Sequence, residues 1–308
     1  MNNYDEIPNH ITNAQAYFEY AKKSILPFSF WDALKESELF FVFFSKLSYA
    51  IFENMQFLYV VIAFTFIFFT FKGILYYESQ PILSLLFLFA STTFFISLNA
   101  MRQMASFAIF LYANKYIFSK QFKKYIFYIA LAFFWHTSAI IYIAFYFLPN
   151  LKIRKCSFLI IVFSYLFKLI LNKFVIQFLE NTGIPIKYYF TLVEGASSKS
   201  FLLISFVIWI CFTIFAKGED KKLIFLYNIS LIGVTISIFV DGIPGGYRLV
   251  YIFWPMYIVI CPYIIRKAKN WKILLFSLFL SIFIIYFYRQ HIIGNSGEVV
   301  PYNSIFFK

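Results

Sequence analysis

Two polar clusters interrupt long apolar runs of this chain: Asn-Ala-Met-Arg-Gln at 99–103 and Trp-His-Thr-Ser at 135–138. A guanidinium matches phosphate geometry, so Arg102 could clamp an anion, and an imidazole titrates near neutral pH, so His136 could relay a proton. Alternatively, Arg102 snorkels at a helix end, and His136 is a buried histidine bonded to Thr137. Because ionisable groups are costly in apolar surroundings unless they face a cavity or a partner, two such clusters indicate a site.

A third polar segment, 240–248, contains glycines and a proline and is predicted to be a loop. Its Asp241 and Arg248 either pair with each other at the surface or supply a general base and a second phosphate-binding group. Glu38 is one of several acids in the polar N-terminal region, which form a solvated face or include the base. Arg289 opens the C-terminal tail, either as an interfacial anchor or as a further anion-binding group.

Several common catalytic motifs are absent from the sequence. It has no glycine-rich phosphate loop, no Cys or His metal spacing and no G-x-S-x-G elbow. The three cysteines are scattered along apolar segments and are typical of small core residues. We therefore expect neither a metal nor another cofactor, and a substrate that is already activated. Polyprenyl-pyrophosphate-linked sugars meet this requirement, because arginines can stabilise the leaving pyrophosphate.

Composition places the chain in the bilayer. Hydrophobic residues make up 62% and charged residues only 13%, whereas about a quarter of the residues of soluble domains are charged. The net charge of +13 comes largely from lysines in short loops, which is typical of the positive-inside rule and does not indicate nucleic acid as a partner. The predicted class is an all-α polytopic membrane protein without a separate soluble domain.

A bilayer core of about 30 Å requires about 20 apolar residues in a helix. We predict an extracytoplasmic N-terminal segment at 1–54, a multi-span membrane domain at 55–288 and an extracytoplasmic tail at 289–308. Charge-poor runs divide the membrane domain into about nine hydrophobic segments: 55–71, 82–98, 104–118, 125–148, 157–178, 201–216, 223–240, 249–265 and 273–288.

The basic loops define a topology, but one of them creates a conflict. These loops are 115–124, 152–155, 217–222 and 266–272. All four should lie in the cytoplasm, yet a single crossing by 125–148 would separate the first two. We therefore predict that 125–149 is a re-entrant hairpin of two half-helices that turns near 135–138, next to a polar cavity. The alternative is that 157–178 is an interfacial helix and 152–155 lies outside.

The motifs around Arg102 and His136 resemble those of the EpsG-like, Wzy-type polysaccharide polymerases. The resembling stretches are Asn-Ala-Met-Arg-Gln-Met-Ala at 99–105, then His-x-Ser-Ala from 136 and a Leu-Pro ending at 148–149. Gly-Tyr-Arg at 246–248 and Val-Pro-Tyr at 300–302 resemble later family features, and either Glu36 or Glu38 matches the family's acidic position. Members usually begin with a transmembrane helix, whereas this chain starts in the acidic segment that follows it.

This resemblance implies a glycosyltransferase of the bacterial inner membrane. It would polymerise polyprenyl-pyrophosphate-linked oligosaccharide units into O-antigen, capsule or exopolysaccharide, on the extracytoplasmic face and beside a flippase and a chain-length regulator. His136 would orient a group or relay a proton, and Asp241 or Glu38 would activate the acceptor hydroxyl. The expected pyrophosphate-binding residues are Arg102, Gln103, Arg248 and Arg289.

Two other functions stay open from the sequence. A membrane O-acyltransferase acting on glycans would explain a histidine deep in an apolar segment, but no second motif indicates an acyl donor. A glycolipid flippase or transporter is of a different class, but the span count is low for it and no inverted repeat relates the two halves of the chain.

Overall fold

The structure, a computed structural model, describes residues 39–77, 81–181, 198–241 and 246–294. All regular secondary structure in these ranges is helical, which confirms the predicted all-α class. The α-helices are α1 Leu39–Phe52, α2 Gln56–Tyr77, α3 Pro81–Ala90, α4 Thr93–Asn99, α5 Met101–Phe118, α6 Phe122–Trp135, α7 Tyr142–Phe145, α8 Ser157–Asn181, α9 Ser198–Phe215, α10 Lys221–Val240, α11 Tyr247–Val250, α12 Tyr257–Lys267 and α13 Lys272–Phe287. Short 3₁₀ turns cover Thr137–Ile141, Leu148–Asn150, Ile153–Cys156, Trp254–Met256 and Lys269–Trp271, and a π-helical turn covers Tyr288–Ile293.

Several helices have the length and composition of membrane spans. Within the described residues, four stretches qualify: Gln56–Tyr77, Lys221–Val240, Tyr247–Lys267 and Lys269–Ile293. A fifth is added if α3 and α4, which meet at 55°, count as one bent span. The chain is thus a multi-pass membrane protein, but the predicted count of nine hydrophobic segments is not confirmed. One reason is α5, whose hydropathy is lowered by the polar residues Arg102, Gln103, Asn114 and Lys115.

The interior of the bundle is formed by α5, α10 and α12, while α2 and α13 expose apolar side chains such as Phe64 and Ile273 to the surroundings. The polar helix α5 packs between α2 and α6. Its approach to α2 depends on Gly73, because a Cβ there would lie 2.6 Å from Cγ of Leu111. Small residues at such crossings let membrane helices come close.

Residues 122–150 form a helical hairpin. Helix α6 ends at Trp135, His136 is extended with φ −158° and ψ 124°, and Thr137–Ile141 begins the return. The hydroxyl of Tyr125 donates a 2.5 Å hydrogen bond to the carbonyl of Tyr142, and the rings of Phe122 and Tyr146 lie 4.9 Å apart. The chain therefore reverses at the predicted turn and runs back along α6. Its re-entry into a membrane stays a prediction.

The return arm of the hairpin is fixed to α9 and α10 where it ends. Asn228 donates from Nδ2 to the carbonyls of Leu148 and Leu151, at 2.8 Å each. The guanidinium of Arg154 donates to the carbonyl of Ala216 at 2.8 Å, which satisfies a carbonyl left unpaired at the end of α9. These bonds keep 148–154 at the same end of the bundle as 216–222.

The basic loops converge at this end, which we call the basic end. The connecting contacts are the Lys152–Glu219 ion pair at 2.7 Å, the hydrogen bond from Lys222 to the carbonyl of Tyr76 at 3.2 Å, and ring contacts of Tyr76 with Phe118 at 6.1 Å and of Phe215 with Trp271 at 6.2 Å. The hydrogen bond from Lys152 also lowers the pKa of the Glu219 carboxyl. The hairpin thus resolves the conflict in the sequence, because it brings 152–155 back to the loop that precedes α6.

Candidate functional site

At the opposite end of the bundle, a hydrogen bond connects the two arginine motifs. Gln103 lies in the first turn of α5, and its Nε2 donates to the backbone carbonyl of Arg248 at 2.8 Å. Gln103 is buried, whereas the side chain of Arg248 is exposed. The bond therefore uses the main chain of Arg248 and leaves its guanidinium at the surface. We call this region, with Arg102, Gln103 and Arg248, the arginine end.

Arg102 is held against an aromatic ring. Its guanidinium carbon lies 4.6 Å from the ring centroid of Phe41, a buried residue of α1. Cation–π contacts of this kind orient a guanidinium while its N–H groups stay able to donate. The half-buried Arg102 is thus positioned by packing at the start of α5.

Helix α1 also connects Arg102 with the tip of the hairpin. The rings of Phe40 and Phe44, on either side of Phe41, lie 5.6 and 5.7 Å from Trp135. Trp135 ends α6 directly before His136. Helix α1 lies inside the single N-terminal segment predicted at 1–54, where no helix is predicted from the sequence. The apolar run from Leu39 to Phe44 was the signal, but Ser45 and Lys46 interrupt it after six residues.

His136 occupies the break between the two arms of the hairpin. Its backbone N–H donates to the carbonyl of Ala132, and its own carbonyl accepts from the N–H of Ala139, both at 3.0 Å. The last backbone hydrogen bond of α6 and the first of the following 3₁₀ turn are therefore both made by His136. The half-buried side chain lies at the hairpin tip, beside the Trp135 contact with α1.

Asp241 forms an ion pair with Lys168 of α8, at 2.5 Å, and both side chains are mostly buried, at 16% and 13% exposed. Lys168 is therefore a partner of Asp241, whereas the sequence suggests Arg248. An ion pair removed from water needs both charges, because either one alone would be unsatisfied. The pair suits a role in joining α8 to the end of α10 better than that of an unengaged base.

Two candidate residues are less closely tied to this region. Arg289 is exposed in the π-helical turn after α13, whose His291 is buried against Phe95 of α4 and Phe287 at ring distances of 5.5 and 5.2 Å. Glu38 lies outside the residues that the structure describes. Its assignment as the base stays a prediction.

Side chains from neighbouring elements bond to helix breaks near the arginine end. The indole of Trp254 donates to the carbonyl of Ser91 at 2.8 Å, where α3 stops, and the hydroxyl of Tyr142 donates to the carbonyl of Ile252 at 3.3 Å. Thr92 follows with φ 63°, a left-handed conformation. The uninterrupted segment predicted at 82–98 is therefore two helices, α3 and α4. Three consecutive hydroxyl residues from Ser91 were the signal for the break.

The arginine end is rich in positive charge. Arg102, Arg248 and Lys168 lie there, and Asp241 is engaged by Lys168. Within the described ranges, no group of three or more His, Cys, Asp or Glu side chains could hold a metal ion. Such a surface favours an anionic ligand bound by guanidinium groups.

The fold and the site together define a polytopic membrane protein with broken helices and arginines at one end. The chain belongs to the EpsG family, whose model matches residues 4–304. The resemblance inferred from the motifs is therefore confirmed. A comparison with curated proteins and a comparison with solved structures each found no match.

Proposed function

We propose that this EpsG family member is a membrane glycosyltransferase that polymerises polyprenyl-pyrophosphate-linked oligosaccharide units. The observation that carries the proposal is the hydrogen bond between Gln103 and the main chain of Arg248, which brings two arginine motifs to one end of the bundle. A leaving pyrophosphate requires donors at the position where negative charge develops, and guanidinium groups supply them. Family membership over nearly the whole chain supports the same class of reaction.

In the proposed reaction, a hydroxyl oxygen of the acceptor unit attacks the anomeric carbon of the glycan on the donor lipid. A new glycosidic C–O bond forms, the C–O bond to pyrophosphate breaks, and polyprenyl pyrophosphate leaves with the electron pair. Arg102 and Arg248 bind this leaving group, with Arg289 as a further donor. His136 accepts the hydroxyl proton directly or relays it to Glu38, and Asp241 with Lys168 positions the ends of α8 and α10.

The orientation of the protein follows from its charges. Cytoplasmic loops of membrane proteins carry excess lysine and arginine, so the basic end faces the cytoplasm. The arginine end then faces the extracytoplasmic side of the bacterial plasma membrane, together with residues 1–54 and 289–308. Lipid-linked units must reach this face before they are joined, so a flippase supplies the substrate and a chain-length regulator acts beside the polymerase.

Deletion of the gene tests the proposal. Synthesis and flipping of single units would continue, so surface glycan should shift from a long ladder to single units on electrophoresis, and a plasmid copy should restore the ladder. An unchanged ladder would refute the polymerase. A glycan altered only in acylation would indicate the acyltransferase, and accumulation of units inside the cell would indicate the flippase.

A further inference from the structure

An apolar groove runs along the outside of the bundle between α8 and α9. It has a volume of about 460 Å³, within the range of about 300–1,000 Å³ that is typical of ligand sites. Its walls include Val162 and Leu166 of α8 and Leu203 and Phe206 of α9, and Ile238 of α10 lies at its base. The groove is thus open at the side of the bundle and closed behind by an inner helix.

The side opening of the groove would face lipid tails. Leu203 is 63% exposed and Leu166 is 53% exposed, although both are apolar. Helix α10 behind them belongs to the stretches that can cross a bilayer. A hydrocarbon chain could therefore enter the groove sideways from the membrane without passing through water.

One end of the groove is charged, and this end adjoins the arginine end. Lys199 lines the groove in the first turn of α9. Two residues further on, the ring of Phe201 packs 5.9 Å from Tyr251 and 4.7 Å from Trp254, in the segment that follows Arg248. The start of α9, which carries Lys199, thus packs against the segment that follows Arg248.

The Lys168–Asp241 ion pair lies at the same end of the groove. Asp241 follows the groove residue Ile238 by three positions, and Lys168 follows Leu166 by two. Asp241 lies directly after the end of α10, and its ion pair places Lys168 of α8 beside it. Because this pair is neutral overall, the net positive charge at this end of the groove comes from Lys199, which a lipid with a phosphate headgroup would complement.

We infer that this groove binds the polyisoprenyl tail of a lipid-linked substrate, and that Lys199 at its mouth attracts the phosphate groups in addition to the arginines of the arginine end. The inference rests on the proposed function, which requires the pyrophosphate at the arginine end while its lipid stays in the bilayer. The tail must then leave that end sideways, and the groove is an apolar path that begins beside it. Lys199 makes the mouth selective for a charged headgroup, since an ammonium attracts phosphate as a point charge.

Photolabelling tests this inference without requiring polymerisation. Purified full-length protein in phosphatidylcholine nanodiscs is irradiated with polyprenyl pyrophosphate that carries a diazirine in its tail, and labelled peptides are identified by mass spectrometry. Label should concentrate on α8 and α9. Leu203→Trp should fill the groove and reduce this label about tenfold, the size expected for overpacking a fitted site. Ile214→Trp, at a 54% exposed position of α9 outside the groove, should leave it unchanged.

A second experiment tests whether Lys199 recognises the charged headgroup, with the variant Lys199→Gln. This variant should reduce labelling by the pyrophosphate probe and leave labelling by the matched uncharged polyprenol probe unchanged. Equal label on α2 and α13, full labelling of Leu203→Trp, or equal competition by ordinary phospholipid would overturn the inference. Because no acceptor is present, a positive result together with an unchanged glycan ladder in the deletion strain would refute the polymerase and leave the groove assignment intact.

Discussion

The side-chain amide of Gln103 donates to the main-chain carbonyl of Arg248, 145 residues further along the chain. The bond joins the start of α5 to the short helix α11, so both arginine motifs keep a fixed separation. Since the acceptor is the main-chain carbonyl, the guanidinium of Arg248 takes no part in this hydrogen bond. The resemblance implies that Gln103 binds pyrophosphate, whereas this contact leads us to expect that Gln103 positions the site.

Replacing Gln103 with leucine should reduce chain extension while the protein still accumulates in the membrane. The change removes the amide that donates to the carbonyl of Arg248. The loss of this hydrogen bond should lower the free energy of unfolding by about 1–3 kcal/mol. Glycan length and thermal stability in detergent are the measurements. Gln121→Leu, at an exposed position at the start of α6, is the matched control. A full-length ladder from Gln103→Leu would show that the contact does not matter to the site.

Arg102→Ala and Arg248→Ala should each lower turnover by about 10²- to 10³-fold, because each removes a donor to developing charge. Lysine should rescue poorly, since it cannot reproduce bidentate geometry. Initial rates of glycan extension measure the effect. Lys155→Ala, an exposed residue at the basic end, serves as the control for lost positive charge. If Arg102→Ala made normal polymer, its assignment would be wrong.

The Lys168–Asp241 pair predicts non-additive effects. Asp241→Leu alone leaves a mostly buried ammonium unpaired and should cost about 3 kcal/mol of stability, whereas Lys168→Met with Asp241→Leu should recover most of it. Thermal unfolding in detergent gives the double-mutant cycle. A stable and active double variant would confirm a positioning role, while a stable but inactive one would return Asp241 to the list of candidate bases.

The hairpin was predictable from charge, and its contacts were not. Lysines on both flanks of 125–149 required the chain to return to the same end, and the break falls at His136 as expected. The bonds that hold the return arm involve Asn228 of α10, about 80 residues away. Nothing in a single sequence specifies such a pairing, because any polar residue on a buried helix could supply it.

The sequence singles out Arg102, Gln103 and Arg248 by type and motif, but it does not show how they are positioned. Their roles in the site stay predictions. The roles of Lys168 and of α1 were missed, because a lysine in an apolar run looks like an interruption of a span and a helix of 14 residues is too short for one. Both roles become apparent only from contacts between residues that are far apart in the sequence.

The hairpin and the positive-inside rule together predict the side on which each end lies. In a cysteine-free background, Lys124→Cys and Asn150→Cys should resist a membrane-impermeant thiol reagent until the membrane is opened. Gln56→Cys, at the end of α2 that is farther from the basic end, should react in intact spheroplasts. Labelling of position 150 from outside would mean that 125–148 crosses the membrane once, and would remove the reason for placing His136 in the site.

The central claim is that this protein alone joins lipid-linked units. The most direct test is to reconstitute the purified full chain in liposomes with polyprenyl-pyrophosphate-linked repeat units and to follow both products by mass spectrometry. We expect lipid-linked chains of two or more units and one released polyprenyl pyrophosphate for each bond formed, with Arg102→Ala protein nearly inactive. Units that stay single with the intact protein, under conditions where its fold is retained, would contradict it.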